Sequence, residues 1–344
     1  MKGTCPKCLV PDRLRGMGKR QVLCNACLRK SPRRLVEGPA FPELSSVLTF
    51  DSGKVYGDVK KPQPFTPRTR KRTKHYVIPD LQLRAGVPMD HLPWIGADIA
   101  RRKPDVIVNI GDLWDMPSLS FHDQPGSLSK EGARYEEDIK AGNDGLALMM
   151  APVRAAIESD PDWNPRLIFC EGNHEYRIMR TVESDPRYSG TLGMHHCGVE
   201  AWGFERHKFL HVVAVDGVHY SHYFQMAGSD RPIGGSMDNR FNKICATFVQ
   251  GHEQGLLQHR RPLPIGKTIH GVVCGSAYMH SEDYRGPQRN NEWRGVVVLH
   301  DVRNGGDCDP MPVTLQWLAK EYGDVDLHDL MAEKYPELPR GWAA

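Results

Sequence analysis

Five short stretches of the chain carry side chains that could hold metal ions. They are Asp80-Leu81-Gln82, Gly111-Asp112, Gly172-Asn173-His174-Glu175, His222 and Gly251-His252-Glu253-Gln254. Carboxylate, amide and imidazole are the protein donors that suit divalent cations. A lone Asn-His in a turn is more often a hydrogen-bonded structural residue than a ligand. Five such groups in one order along one chain point to a site. A second set is made of thiols, Cys5-Pro-Lys-Cys8 and Cys24-Asn-Ala-Cys27. Two CxxC pairs at this spacing close a tetrahedral thiolate site, with a short hairpin between the knuckles. So short a segment cannot bury a core of its own, and one structural Zn²⁺ would have to supply its folding energy. No serine nucleophile elbow, Walker loop or GxGxxG competes with these two sets.

The elements that must position the first set read as α/β. Residues 74–79, 105–112 and 166–175 are strand-like runs, the first leading directly into Asp80 and the others closing on Asp112 and on Asn173-His174-Glu175. Residues 90–102 place Leu92, Ile95 and Ile99 on one helical face, and 134–158 read as a long helix. The run 209–224 reads as a hairpin turning at Asp216-Gly217. A helix is expected at 236–246, then the strand TFVQ before Gly251-His252, then strands near 269–274 and 295–300. Strands that alternate with helices early and pair as hairpins late predict a layered α/β sandwich with mixed sheets. Ligand sites in open α/β sheets gather at the carboxyl ends of strands, which is where these residues fall. His222 and nearby His219 would point to opposite faces of a strand, so at most one of them can serve.

Charge is unevenly spread in this 344-residue chain of net charge +3. Residues 1–36 carry ten Lys/Arg against the single acid Asp12, and residues 60–74 carry seven Lys/Arg and no acid. A basic N-terminal region on an acidic body suggests a polyanionic partner, with a solubilising tail as the plainer alternative. Residues 37–74 hold Pro39, Pro42, Pro62, Pro64 and Pro67 and no sustained periodicity, and read as a linker. No run of apolar residues is long enough to span a membrane, and no secretory leader precedes the cysteines. The expected compartment is therefore the reducing cytoplasm, which nine cysteines, an odd number, also fit.

With these residues in place, the chain resembles the calcineurin-like metallophosphoesterases, whose pattern runs DxH, GD, GNH[DE], H, GHxH. The resemblance covers about residues 75–305. The fuller run IPDLQL, VNIGDLWDMPSLS, CEGNHEYR, YSHYF, GHEQ, EDYRGPQ and WRGVVVLH is similar to a branch often found in bacteriophage and prophage genomes, which would make the cytoplasm that of the host. The N-terminal module resembles a zinc ribbon. These likenesses imply a zinc ribbon at 1–36, a basic linker at 37–74, a four-layer α/β/β/α sandwich at 75–305 and a helical capping segment at 306–344. They also imply two divalent cations. Asp112 would bridge them, Asn173, His222 and His252 would complete one site, and Asp80, Gln82 and Gln254 the other. His174 would protonate the leaving oxygen, with Asp115 orienting it. Arg177, Arg231 and Arg240 are candidate phosphate clamps.

The family has histidine where this chain has Gln82 and Gln254. A glutamine carbonyl is a neutral, hard oxygen donor, so that site becomes all oxygen and favours Mg²⁺ or Mn²⁺, beside a nitrogen-containing partner site that suits Mn²⁺, Fe²⁺ or Zn²⁺. The expected activity is hydrolysis of phosphodiesters in nucleic acid or nucleotides, with the basic ribbon and linker held to the phosphate backbone. Two alternatives stand beside it: a phosphomonoesterase of the protein-phosphatase kind, and a non-catalytic nucleic-acid-binding protein with a degenerate metal site. Against the former, the chain reads GDLWDMPS where serine/threonine phosphatases read GDxVDRG.

Overall fold

The computed structural model describes residues 72–121, 131–282 and 292–337 in full, and the backbone of three strands before them. The chain divides into two units, Met1–Thr49 and Phe50–Ala344. In the first, β1 (Lys2–Thr4), β2 (Pro11–Met17) and β3 (Gln21–Cys24) form an antiparallel sheet in that order. The expected zinc ligands Cys5, Cys8 and Cys27, the Cys24 side chain and linker residues 37–71 lie outside the described residues.

The second unit is α/β, with two mixed sheets. One runs β14-β13-β4-β5-β6-β7, from β4 (Thr73–Ile78), β5 (Val106–Asn109), β6 (Arg166–Cys170), β7 (Glu205–His207), β13 (Gly295–Val302) and β14 (Asp309–Thr314). Strands β4 to β7 are parallel, and β13 and β14 extend the sheet antiparallel. The other runs β11-β12-β10-β9-β8, from β8 (Val213–Val215), β9 (Val218–Tyr220), β10 (Thr247–Gln250), β11 (Leu256–Pro262) and β12 (Thr268–Cys274). Its inner three strands are parallel and its two edges antiparallel.

The apolar runs are continuous because the inner strands are covered on both faces. Along β4, Tyr76 and Ile78 join a core with α1 (His91–Arg102) and α2 (Tyr135–Ser159), whereas Val77 between them faces the second sheet. The same alternation sends Val296 and Val298 of β13 to the helices and Val297 and Leu299 to the sheet–sheet core, where they meet Val249 of β10 and Val272 of β12. Phe248 and Ile269, on the outer face of the second sheet, pack against Phe241 of α4 (Met237–Ile244). Each fully buried Val or Ile is worth roughly 1.5–3 kcal/mol, so these two-sided strands form a rigid base for the loops at their tips.

Helix and hairpin expectations hold closely; strand ends do not. The run 105–112 is a strand only to Asn109, and 166–175 only to Cys170, because Asn173 already opens α3 (Asn173–Ser184). The Asp216-Gly217 hairpin turns with φ of 51° and 83°, the left-handed pair of a type I′ turn. Three strands carry no legible signal. β7 is only three residues long, β11 is a largely exposed edge, and β14 contains Pro310 and Pro312, which an edge strand tolerates. The C-terminal segment supplies that edge and then α5 (Leu315–Gly323) and α6 (Leu327–Lys334). Tyr322 at the end of α5 donates to Asp98 of α1 at 2.7 Å.

Candidate metal centre

Strands β4, β5 and β6 run parallel, and so do β9 and β10. Asp80, Asp112, Asn173, His222 and His252 therefore all follow the carboxyl ends of strands. Four of them meet directly. The His222 Nε2 atom lies 3.2 Å from Asp112 Oδ2 and 2.9 Å from Asn173 Oδ1, and His252 Nδ1 lies 2.8 Å from the same Asn173 oxygen. Ligand atoms of Asp112, His222 and His252 all fall within 4.8 Å of one another. His222 Nδ1 donates to the Ile110 carbonyl at 2.9 Å, which orients the ring and turns Nε2 toward the cluster. His219, by contrast, bonds the Thr247 carbonyl.

Burial and the neighbouring charges shift the protonation of each group in the cluster. Burial opposes a charged His222 ring, but the Asp112 carboxylate beside it outweighs burial and raises its pKa to about 9. For His252, burial and the neighbouring His222 push the pKa down to about 4. Asp112 is held well below the usual carboxylate range: burial works against ionisation, and His174 and His222 overcome it. Asp80 Oδ1 accepts the His252 backbone N–H at 3.2 Å, but buried Oδ2 has no hydrogen-bond partner among the described residues. Burial pushes the Asp80 pKa up to about 7. A buried carboxylate oxygen without a donor, beside two imidazoles, a carboxylate and an amide oxygen, is a donor set that fits a divalent cation.

The backbone around the cluster is unusual. Gln82, Asp112, His252 and Gln254 all have φ between 44° and 69°, in the left-handed region that costs a side-chain-bearing residue about 1–2 kcal/mol. Gln82 is buried, and its N–H donates to the Asp112 carbonyl at 2.8 Å. Gln254 is buried too, and its Oε1 accepts from the Tyr278 hydroxyl at 2.8 Å. Gly111 has φ 98°, and a Cβ there would stand 2.5 Å from the Gly172 nitrogen, so no larger residue fits.

A second group flanks the first. His174 Nδ1 donates to Asp115, 2.9 Å from Oδ1 and 2.8 Å from the carbonyl, leaving Nε2 3.7 Å from Asp112 Oδ2 and 3.2 Å from Arg177 Nη2. Burial disfavours protonated His174, but Asp112 and the Asp115 hydrogen bond outweigh it and raise the pKa. Asp115 also accepts from Arg84 at 2.6 Å, and Arg84 bonds Glu282 at the same distance.

The three arginines go to different places. Arg177 donates to the Asp115 and Met116 carbonyls and borders the His174 ring. Arg231 is exposed on the loop before α4. Arg240 is fully buried, and its guanidinium bonds both Glu253 oxygens and the Ile233 and Gly235 carbonyls, so those donors are taken up within the fold.

Two acids with structural parts escaped the sequence reading. Glu175 accepts four backbone N–H groups, from Asp112, Leu113, Trp114 and Gly172, at 2.7–3.0 Å. It ties the loop after β5 to the start of α3. A Glu three residues after the residue before a helix is a capping signal that could have exposed it. Glu253, held by Arg240, fixes the loop between His252 and Gln254, and nothing local marks that long-range pair.

Neither the models of known protein families nor the curated proteins include a match to this chain. Among the described residues no helix is long and apolar enough to cross a membrane.

Proposed function

We propose that this chain is a divalent-metal-dependent phosphoesterase of the calcineurin-like metallophosphoesterase kind, acting on phosphodiesters of nucleic acid or nucleotides. The observation that carries the reading is the convergence of Asp112, Asn173, His222 and His252 beside the His174–Asp115 pair. The order of the three cores, helix against sheet, sheet against sheet, sheet against helix, supports a four-layer α/β/β/α sandwich.

Asp112, Asn173, His222 and His252 would hold one cation, and Asp80, Gln82 and Gln254, sharing Asp112, a second. When bound, such cations supply a clamp for phosphoryl oxygens and lower the pKa of water. The chain's own residues do the rest. Asp115 accepts Nδ1–H of His174 and holds the ring so that Nε2 can carry a proton to a departing oxygen. Arg177, at 3.2 Å from Nε2, places positive charge where a phosphoryl group would sit. The basic N-terminal region would keep a polyanionic substrate near the site.

The test compares hydrolysis of bis(p-nitrophenyl) phosphate and p-nitrophenyl phosphate in Mg²⁺, Mn²⁺, Ni²⁺ and Zn²⁺, with Asp112→Asn alongside. Diester turnover in Mn²⁺ that the variant abolishes is the expected result. Preference for the monoester would move the assignment to a phosphatase, and no turnover with any metal would leave a binding protein.

A further inference from the structure

From His252 a row of aromatic rings leads away from the metal ligands. The Tyr223 ring lies 4.8 Å from that of His252, Phe209 lies 5.4 Å from Tyr223, and Tyr176 stacks on Phe209 at 4.9 Å. Tyr223 also forms one wall of a cavity of about 430 Å³ between residues 210–212 and the 223–230 loop. Leu210 and Phe224 give this cavity apolar surface, and Gln225, Ser229 and Asp230 give it polar groups. Val212 and Met226, 51% and 44% exposed, also line it, and they are two of the larger exposed apolar side chains among the described residues.

A cavity whose lining mixes apolar side chains with polar groups has the make-up of a small-molecule pocket. A bare phosphate would need no apolar side chains, and an alkyl chain would need no polar groups. A flat ring with hydrogen-bonding groups at its rim uses both, and stacks on aromatic faces whatever its sequence identity. We infer that the cavity bounded by Tyr223, Phe224 and Met226 receives the base of a nucleotide whose phosphate lies at the Asp112–His222–His252 centre. The inference rests on the phosphoesterase reading and adds a base subsite to it.

Three diesters with the same p-nitrophenolate leaving group test it on the full-length protein in Mn²⁺: the thymidine 5′-phosphate, methyl phosphate and hexyl phosphate esters. Stacking of one base predicts roughly tenfold or greater kcat/KM for the thymidine ester over the methyl ester, with the hexyl ester close to methyl. Val212→Glu and Met226→Glu, each placing a charge at the exposed mouth, should pull that ratio toward one. Ile265→Glu, at a 73% exposed position in the turn after β11, should leave it unchanged. A ratio near one in the unaltered protein, with all esters hydrolysed, overturns the base pocket and leaves the phosphoesterase reading standing. A hexyl ester as good as the thymidine ester also overturns it, in favour of a general apolar pocket. No hydrolysis of any ester with any metal overturns both.

Discussion

Removing either partner of the Arg240–Glu253 pair breaks the same two hydrogen bonds, at 2.6 and 2.7 Å, yet the two removals should not cost the same. The Arg240 side chain is fully buried, whereas that of Glu253 is 33% exposed. With Arg240→Met the thioether occupies the space of the stem, and Glu253 can turn toward water. The stranded groups are then two carbonyls, of Ile233 and Gly235, at about 1 kcal/mol each for a modest hydrogen bond lost. With Glu253→Ala a guanidinium stays buried without its counter-charge, and breaking a buried pair in that way costs about 3–5 kcal/mol. The expected order is Glu253→Ala at about 4 kcal/mol and Arg240→Met at about 2 kcal/mol. Urea unfolding of the two variants and the parent, at one pH and salt concentration, reads both. Since Glu253 lies between His252 and Gln254, Mn²⁺ titration by calorimetry should show roughly 10-fold or greater loss of affinity in each, the usual consequence of loosening the support of a ligand. Arg240→Met at least as destabilising as Glu253→Ala would refute the reasoning, because the penalty would then not come from the stranded charge.

Other consequences follow from the same contacts. Gly172→Ala would drive its Cβ into Asp112 Oδ1 and the Asp112 nitrogen, so metal binding should fall at least 10-fold by calorimetry even where circular dichroism shows the fold retained. His91 is fully buried, neither ring nitrogen has a hydrogen-bond partner among the described residues, and burial followed by His280 lowers its pKa to about 3 from an ordinary 6.5. Between those values the unfolded chain takes up a proton that the folded one refuses, so stability should fall with pH from 6.5 toward 3. The slope is up to roughly 1.4 kcal/mol per pH unit, and His91→Leu should flatten that limb in urea midpoints measured from pH 7 down to pH 4. Asp115→Asn withdraws one of the groups that raise the His174 pKa. If His174 is the acid, the alkaline limb of the kcat profile should shift to lower pH and kcat should drop about 10²-fold or more; an unshifted limb would exclude that role.

The candidate ligands were legible because four of them follow runs that only a buried strand explains: KHYVI before Asp80, DVIVN before Asp112, RLIFC before Asn173, TFVQ before His252. Buried strands have no packing reason to end in carboxylate, amide and imidazole. What stayed hidden was of two kinds. A three-residue strand such as β7 leaves no period to read, and a largely exposed edge such as β11 carries no apolar run. The supports of the site were hidden too. Arg240 looks like a free cation near a phosphate site until the fold brings Glu253 and two carbonyls around it. Glu175 looks like an ordinary surface acid, yet the fold buries it.

The paired glutamines bear on whether the second half of the site is retuned or lost. Gln82 and Gln254 sit in left-handed backbone with φ of 44° and 60°, beside Asp112 at 51° and His252 at 69°. Such conformations persist only where the surroundings hold them, at about 1–3 kcal/mol each, and they cluster where geometry matters to function. Gly or Asn at 82 and 254 would relieve that strain. Gln254 is instead buried, strained, and fixed through its carbonyl oxygen by Tyr278. That hydrogen bond orients a neutral, hard oxygen donor. Asp80, whose Oδ2 has no hydrogen-bond partner among the described residues, would supply the charge that a hard cation needs there. Strain retained at a neutral oxygen donor, supported from behind and set by a buried carboxylate, argues for a site changed in metal preference rather than one decayed. Replacing Tyr278 by Phe should then weaken Mg²⁺ or Mn²⁺ binding several-fold by calorimetry, with little loss of stability while water can replace the hydroxyl; binding that is unchanged would count for the decayed site.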